Sequence, residues 1–91
     1  MALVALFETE NMTYDSYATV LRRLAAAGAA APAGRMHHTC YGDPSRLRVV
    51  DVFDTQENFA AFGQVLQPIL DDVGVRLRPP ILQPVHNIIR G

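Results

Sequence analysis

Ala2-Leu3-Val4-Ala5-Leu6-Phe7 is an unbroken apolar run ending at Glu8. Side chains alternate across a strand, so an apolar run without alternation suits a strand covered on both faces. Arg46 to Phe53 repeats the demand: Leu47, Val49 and Phe53 share one face, Val50 and Val52 the other, and Asp51 interrupts the first. A sheet with two apolar faces needs helices on one side and a second cover on the other. The chain has 91 residues, 49% hydrophobic and 19% charged. So small a body has more apolar surface than one core can absorb, and a homodimer is expected to supply the second cover.

The rest of the chain can be read for elements around those strands. Thr13 is placed to cap a first helix, with Met12 and Tyr17 as its hydrophobic staple. Tyr14, Tyr17, Ala18, Leu21, Leu24 and Ala25 make an apolar stripe at helical spacing, and Gly28 is the natural stop. Arg35 to Tyr41 reads as a strand, joined through the turn Gly42-Asp43-Pro44-Ser45 to the strand Arg46–Phe53 as an antiparallel hairpin. Asp54 or Thr55 caps a second helix whose stripe is Phe59, Phe62, Leu66, Ile69, Leu70 and Val73. Pro68 is expected to kink it or loosen a turn, and Gly74 to end it. Val75 to Arg78 reads as a short strand, Pro79-Pro80 as a break, and Val85 to Ile89 as a last strand. The order β-α-β-β-α-β predicts a single α+β domain over residues 1–91, a ferredoxin-like sheet with an extra C-terminal strand segment.

Composition excludes several functions. All eight basic residues are arginine and they form no run, so nucleic acid is not an expected partner. With no lysine there is no Schiff-base chemistry from a lysine side chain. Cys40 is the lone cysteine, which rules out an intrachain disulfide and a cysteine zinc cage. No basic leader-like segment precedes the first strand and no apolar run approaches a membrane span, so the cytoplasm is the expected location.

The titratable residues that can carry chemistry are few. His37 and His38 are adjacent on one strand and must point to opposite faces; His86 lies on the predicted last strand. Imidazole titrates near neutrality, which makes His38 and His86 candidate general bases on the helix-facing side. Strand parity alone makes that assignment, and a one-residue slip would exchange His37 and His38. Asp51, set among valines, is costly unless paired; it is a candidate to orient a histidine, with an arginine such as Arg35 or Arg48 as the alternative partner. His37, Tyr41, Tyr17 and Phe62 are candidate substrate-binding groups, the aromatics doubling as ordinary core. Each histidine also has a plain structural reading, with a ring nitrogen bonded to a carbonyl or carboxylate. His38 and Cys40 share a strand face and His86 could complete a metal set, but that spacing is common by chance and no metal is expected.

The stretch Gly34 to Gly42 with its His-His pair resembles the dimeric α+β barrel superfamily. So do Val49-Val50-Asp51-Val52-Phe53-Asp54, Phe59-Ala60-Ala61-Phe62-Gly63, Pro68-Ile69-Leu70 and Pro84-Val85-His86-Asn87. The particular similarity is to its antibiotic-biosynthesis-monooxygenase-like and stress-responsive-barrel members. It spans nearly the whole chain. The resemblance implies a pocket between sheet and helices for a small apolar ligand, aromatic or polyketide-like. Cofactor-free oxygenases, cyclases and isomerases all occur in the superfamily. The oxygenases often carry a pocket tryptophan; this chain has none, and no catalytic residue is carried over by family position. The expected function is cofactor-independent chemistry with a histidine general base, or, as the alternative, a non-catalytic dimer that binds a ligand or a protein.

Overall fold

A computed structural model describes residues 1–91. The elements are β1 (Leu3–Glu8), α1 (Tyr14–Ala26), β2 (Arg35–Asp43), β3 (Arg46–Phe53), α2 (Gln56–Val73) and β4 (Ile81–Pro84). The four strands form one sheet in the order β2-β3-β1-β4, every neighbouring pair antiparallel. This is the expected ferredoxin-like α+β architecture.

Local chemistry sets most boundaries. Thr13 Oγ1 accepts from the Ser16 amide while Ser16 Oγ accepts from the Thr13 amide, a reciprocal cap at the start of α1. Thr55 caps α2, and Gly74 ends it in the left-handed region at φ 87°. α2 runs through Pro68. The carbonyl that proline cannot bond belongs to Gln64, and both residues lie on the exposed side of the helix.

The core lies between helices and sheet. Leu3, Ala5 and Phe7 of β1 and Leu47, Val49 and Phe53 of β3 pack with Val20, Leu24, Phe62, Ile69 and Leu70 of the helices. The stripe on α1 is narrower than predicted: Val20 and Leu24 are buried and Tyr17 partly so, while Tyr14, Leu21 and Ala25 are exposed. The opposite face carries Val4, Leu6, Val50 and Val52, half-buried and covered by no helix.

Two strand predictions at the C-terminus are corrected. Val75–Arg78 contributes only an isolated bridge, Thr9 with Leu77. The last strand is Ile81–Pro84 rather than Val85–Ile89, and 85–91 form no strand. Register explains this. β4 runs along β1 from Leu6↔Ile81 to Leu3↔Pro84, where β1 begins. Beyond that point one backbone bond remains, Val85 N–H to the Ala2 carbonyl. Pro84 is tolerated because β4 is an edge strand.

Candidate functional site

The antiparallel register places His38 opposite Asp51, both on the helix side of the sheet. Asp51 is 2% exposed, one of the two buried polar residues of the chain. His38 Nδ1 lies 2.5 Å from Asp51 Oδ1, and His38 Nε2 lies 2.6 Å from the Tyr17 hydroxyl. A carboxylate can only accept, so Nδ1 carries the proton and donates to Asp51. That tautomer leaves Nε2 as the acceptor for Tyr17 O–H. The two rings are parallel within 3° with centroids 6.0 Å apart. Tyr17, His38 and Asp51 therefore form a continuous hydrogen-bonded chain from the first helix into the sheet.

This geometry changes the role open to His38. Both its ring nitrogens are engaged, one with Asp51 and one with Tyr17, so neither is free for direct contact with a ligand. Burial, together with the charges of Cys40 and Asp51, raises the Tyr17 phenol above its ordinary pKa, with Arg35 opposing. The Cys40 thiol is raised by burial as well. At neutral pH Tyr17 is thus a phenol and Cys40 a thiol.

Beside the relay lies a part-open cavity of about 50 Å³ between sheet and helices. Its walls are almost wholly apolar and include Phe7, Val20, Leu21, Leu24, Phe62 and Leu66, with Tyr17, His38, Asp51 and Arg35 set among them. Thr9 closes one end; its hydroxyl donates to the Leu47 carbonyl at 2.7 Å and accepts from the Met12 amide at 3.1 Å. This pins the β1–α1 connection to β3.

The remaining candidates do not meet here. His37 faces the open side of the sheet, its Nε2 2.6 Å from Thr39 Oγ1. There it borders a surface groove of about 530 Å³ with Val4, Met36, Val52, Val85 and the segment from Asn87 to Gly91. Tyr41 lies beside Arg46, Arg48 and Arg78 in a separate polar hollow. His86 is exposed beyond the end of β4 and lines neither the relay nor the cavity. The expectation that His86, on a last strand, joins His38 on the helix-facing side is therefore corrected: no strand carries His86. No group of three metal-ligating side chains is assembled.

The sequence offers Arg35 only as a partner for Asp51. A bulge between Arg35 and His37 puts Arg35 opposite Phe53, on the same side as His38. Strict alternation would have put it with His37. The guanidinium carbon sits 5.8 Å from the centre of the Phe62 ring, and Nη2 donates to the Ala30 carbonyl at 3.1 Å.

No family model matches the chain, and no curated protein is similar to it in sequence. Solved structures do match. One is a single-residue variant of SnoaB, a cofactor-independent oxygenase from Streptomyces nogalater. It aligns with a TM-score of 0.71 at 12% identity, over 99% of this chain and 98% of that one. A candidate antibiotic biosynthesis monooxygenase from Chloroflexus aurantiacus aligns over the full length of both chains, with a TM-score of 0.66 at 16% identity. A protein of unknown function from Nitrosomonas europaea aligns with a TM-score of 0.57 at 20% identity, covering 100% of this chain and 98% of that one. The chain thus shares the fold of these antibiotic-biosynthesis-monooxygenase-like structures.

Proposed function

We propose that the chain binds a small, largely apolar molecule, aromatic or polyketide-like, between sheet and helices and removes a proton from it through Tyr17, His38 and Asp51. The observation that carries this reading is a fully connected Tyr–His–Asp chain set in the wall of an apolar cavity. Tyr17 Oη is the ligand-side terminus, His38 receives the Tyr17 proton at Nε2, and Asp51 steadies the imidazolium that results. No bound cofactor is invoked. Proton removal is the shared first step of cofactor-free oxygenation, cyclisation and isomerisation, and the likeness in fold to SnoaB adds support for the first.

The cavity sets a condition. At about 50 Å³ it is well below the roughly 150 Å³ that receives a benzene ring in a rigid core. A ring must displace rim side chains, and Leu21, 40% exposed, is the one with room to move. The same small volume favours a second reading, in which the relay is a structural network and the chain a non-catalytic binding protein.

Deuterium exchange into β-tetralone, an apolar bicyclic ketone with an acidic C–H, separates the two readings. Catalysed exchange that falls about 10²- to 10⁴-fold in Tyr17→Phe and His38→Leu supports the relay. Exchange at the uncatalysed rate, or unchanged in both folded variants, sinks it.

The uncovered sheet face is proposed to pack against a second copy of the chain. Val4, Leu6, Val50 and Val52 make that face apolar, and Met36 and Ile88 extend it. Sedimentation equilibrium should give twice the monomer mass of 10.0 kDa. No helix is long and apolar enough to cross a membrane. With one unpaired cysteine, the cytoplasm is the proposed compartment.

A further inference from the structure

The open face of the sheet is apolar along only part of its length. On β1, Val4 and Leu6 are followed by Glu8; on β3, Val52 and Val50 give way to Arg48 and Arg46. Alternation keeps each series on one face, so the charged residues extend the apolar band toward the β2–β3 turn. Register sets Tyr41 beside Arg48 and Arg48 beside Glu8, and the Arg78 amide donates to the Glu8 carbonyl at 2.9 Å. Four adjacent backbone segments thus carry Tyr41, Arg48, Glu8 and Arg78 in one row. With Arg46 and Asp43 these residues line a hollow of about 280 Å³.

Hydrogen bonding in this hollow is unfinished. Arg48 Nη1 lies 3.7 Å from Glu8 Oε1, and Arg78 Nη1 lies 3.6 Å from Glu8 Oε2. Those separations pair the charges but are too long for hydrogen bonds. Arg46 belongs to none of the ion pairs of the chain. Asp43 spends Oδ1 on the Ser45 amide and hydroxyl, at 2.8 and 2.7 Å. Three guanidiniums therefore border one hollow with their donors bonded to no side chain, against two carboxylates, one of them committed to the turn. One positive charge is left in excess.

We propose that this hollow binds the phosphate group of a small phosphate monoester, with Arg46, Arg48 and Arg78 donating to its terminal oxygens. Guanidinium N–H groups match carboxylate and phosphate oxygens in geometry and charge. A carboxylate offers two oxygens; a phosphate monoester offers three and carries about −1.5 to −2 charge near neutral pH. Three guanidiniums around one hollow suit the second. The Tyr41 ring, 42% exposed, is the wall for the organic part of the ligand. Glu8 spaces Arg48 and Arg78 but repels the anion, so it limits the affinity. The site lies on the opposite face of the sheet from Tyr17 and His38 and is independent of the proton-relay reading. It also leaves the apolar band free for a second copy of the chain.

The test is titration of phenyl phosphate into isotope-labelled protein at low ionic strength, followed by amide NMR shifts. The amides of Tyr41, Gly42, Arg46, Arg48 and Arg78 should move and saturate, and inorganic phosphate should move the same amides with weaker binding. Benzoate, with a ring and a single charge, should bind about tenfold more weakly than phenyl phosphate. Arg46→Gln removes an arginine that holds no ion pair, so the fold should stand while affinity falls about two- to fivefold. Adding Arg78→Gln should bring the loss to about tenfold. Glu8→Gln should instead tighten binding about two- to fivefold, the opposite of what a carboxylate that only holds the arginines in place would give. Tyr17→Phe should bind as wild type does. No saturation, shifts confined to the apolar cavity, or benzoate bound as tightly as phenyl phosphate overturns the proposal. So does an affinity unmoved by Arg46→Gln or lowered by Glu8→Gln.

Discussion

Replacing His38 by leucine should cost the chain more stability than replacing His38 and Asp51 together. Asp51 is 2% exposed and its bond to His38 is the only side-chain hydrogen bond it makes. Removing the imidazole strands a buried carboxylate, for which the loss is about 3–5 kcal/mol. Asp51→Val strands only the Nδ1–H of a side chain 23% exposed, a loss of about 1–2 kcal/mol. In the double variant no polar group is left without a partner except the Tyr17 hydroxyl, and valine suits the strand. Its stability should lie within about 1 kcal/mol of wild type. The coupling energy is therefore about 3 kcal/mol or more, a large share of the total stability of about 5–14 kcal/mol expected for a domain of this length. Urea melts of the four proteins measure it. If His38→Leu is no less stable than the double variant, the pair is not coupled and the argument from burial fails.

Other perturbations test other parts of the molecule. Gly34 has φ 82°, and a Cβ there would lie 2.2 Å from Asp54 Oδ1 and 2.5 Å from Asn58 Nδ2. Gly34→Ala should cost about 2–3 kcal/mol and lower Tm by about 10 °C or more, read by thermal melting. Thr13→Ala removes the reciprocal cap of α1 and should cost about 1 kcal/mol in urea melts. The raised Tyr17 pKa means that the folded state holds this proton longer than the unfolded state does. Its contribution is complete below the ordinary value of 10.0 and is lost as pH rises beyond it. Ultraviolet titration should show one late tyrosinate that Tyr17→Phe removes. Asp43 has the opposite sign. The Ser45 amide and hydroxyl lower its pKa, so the turn should loosen as pH falls below 3.8, and Ser45→Ala should weaken that dependence in an NMR titration of the hairpin.

Much of this protein follows from local sequence. Thr13, Thr55 and Gly74 mark helix ends through their own side chain or lack of one, so no tertiary information is needed to place them. The alternation in β3 assigns Asp51 to the core face, and parity sends His37 and His38 to opposite sides. These are consequences of period-two geometry. The stretch after Gly74 was less legible. Val85–Ile89 has strand composition, yet pairing is limited by the partner: β1 begins at Leu3, and beyond Pro84 only the Val85 N–H still joins it, at the Ala2 carbonyl. His86 loses its place near the site for that reason alone.

The site itself needed the tertiary structure. Sequence names Tyr17, His38 and Asp51 as separate candidates on three elements. Only the packing of α1 over the β2–β3 pair brings a phenol within 2.6 Å of one ring nitrogen and a carboxylate within 2.5 Å of the other. Arg35 is a sharper case. Its position depends on a bulge at Met36, where no glycine marks the irregularity, and a single extra residue in a strand reverses the face of everything on one side of it. Short-range patterns fix which residues are apolar, capped or turned. Which polar groups meet depends on register and packing between distant segments, and those are properties of the assembled fold.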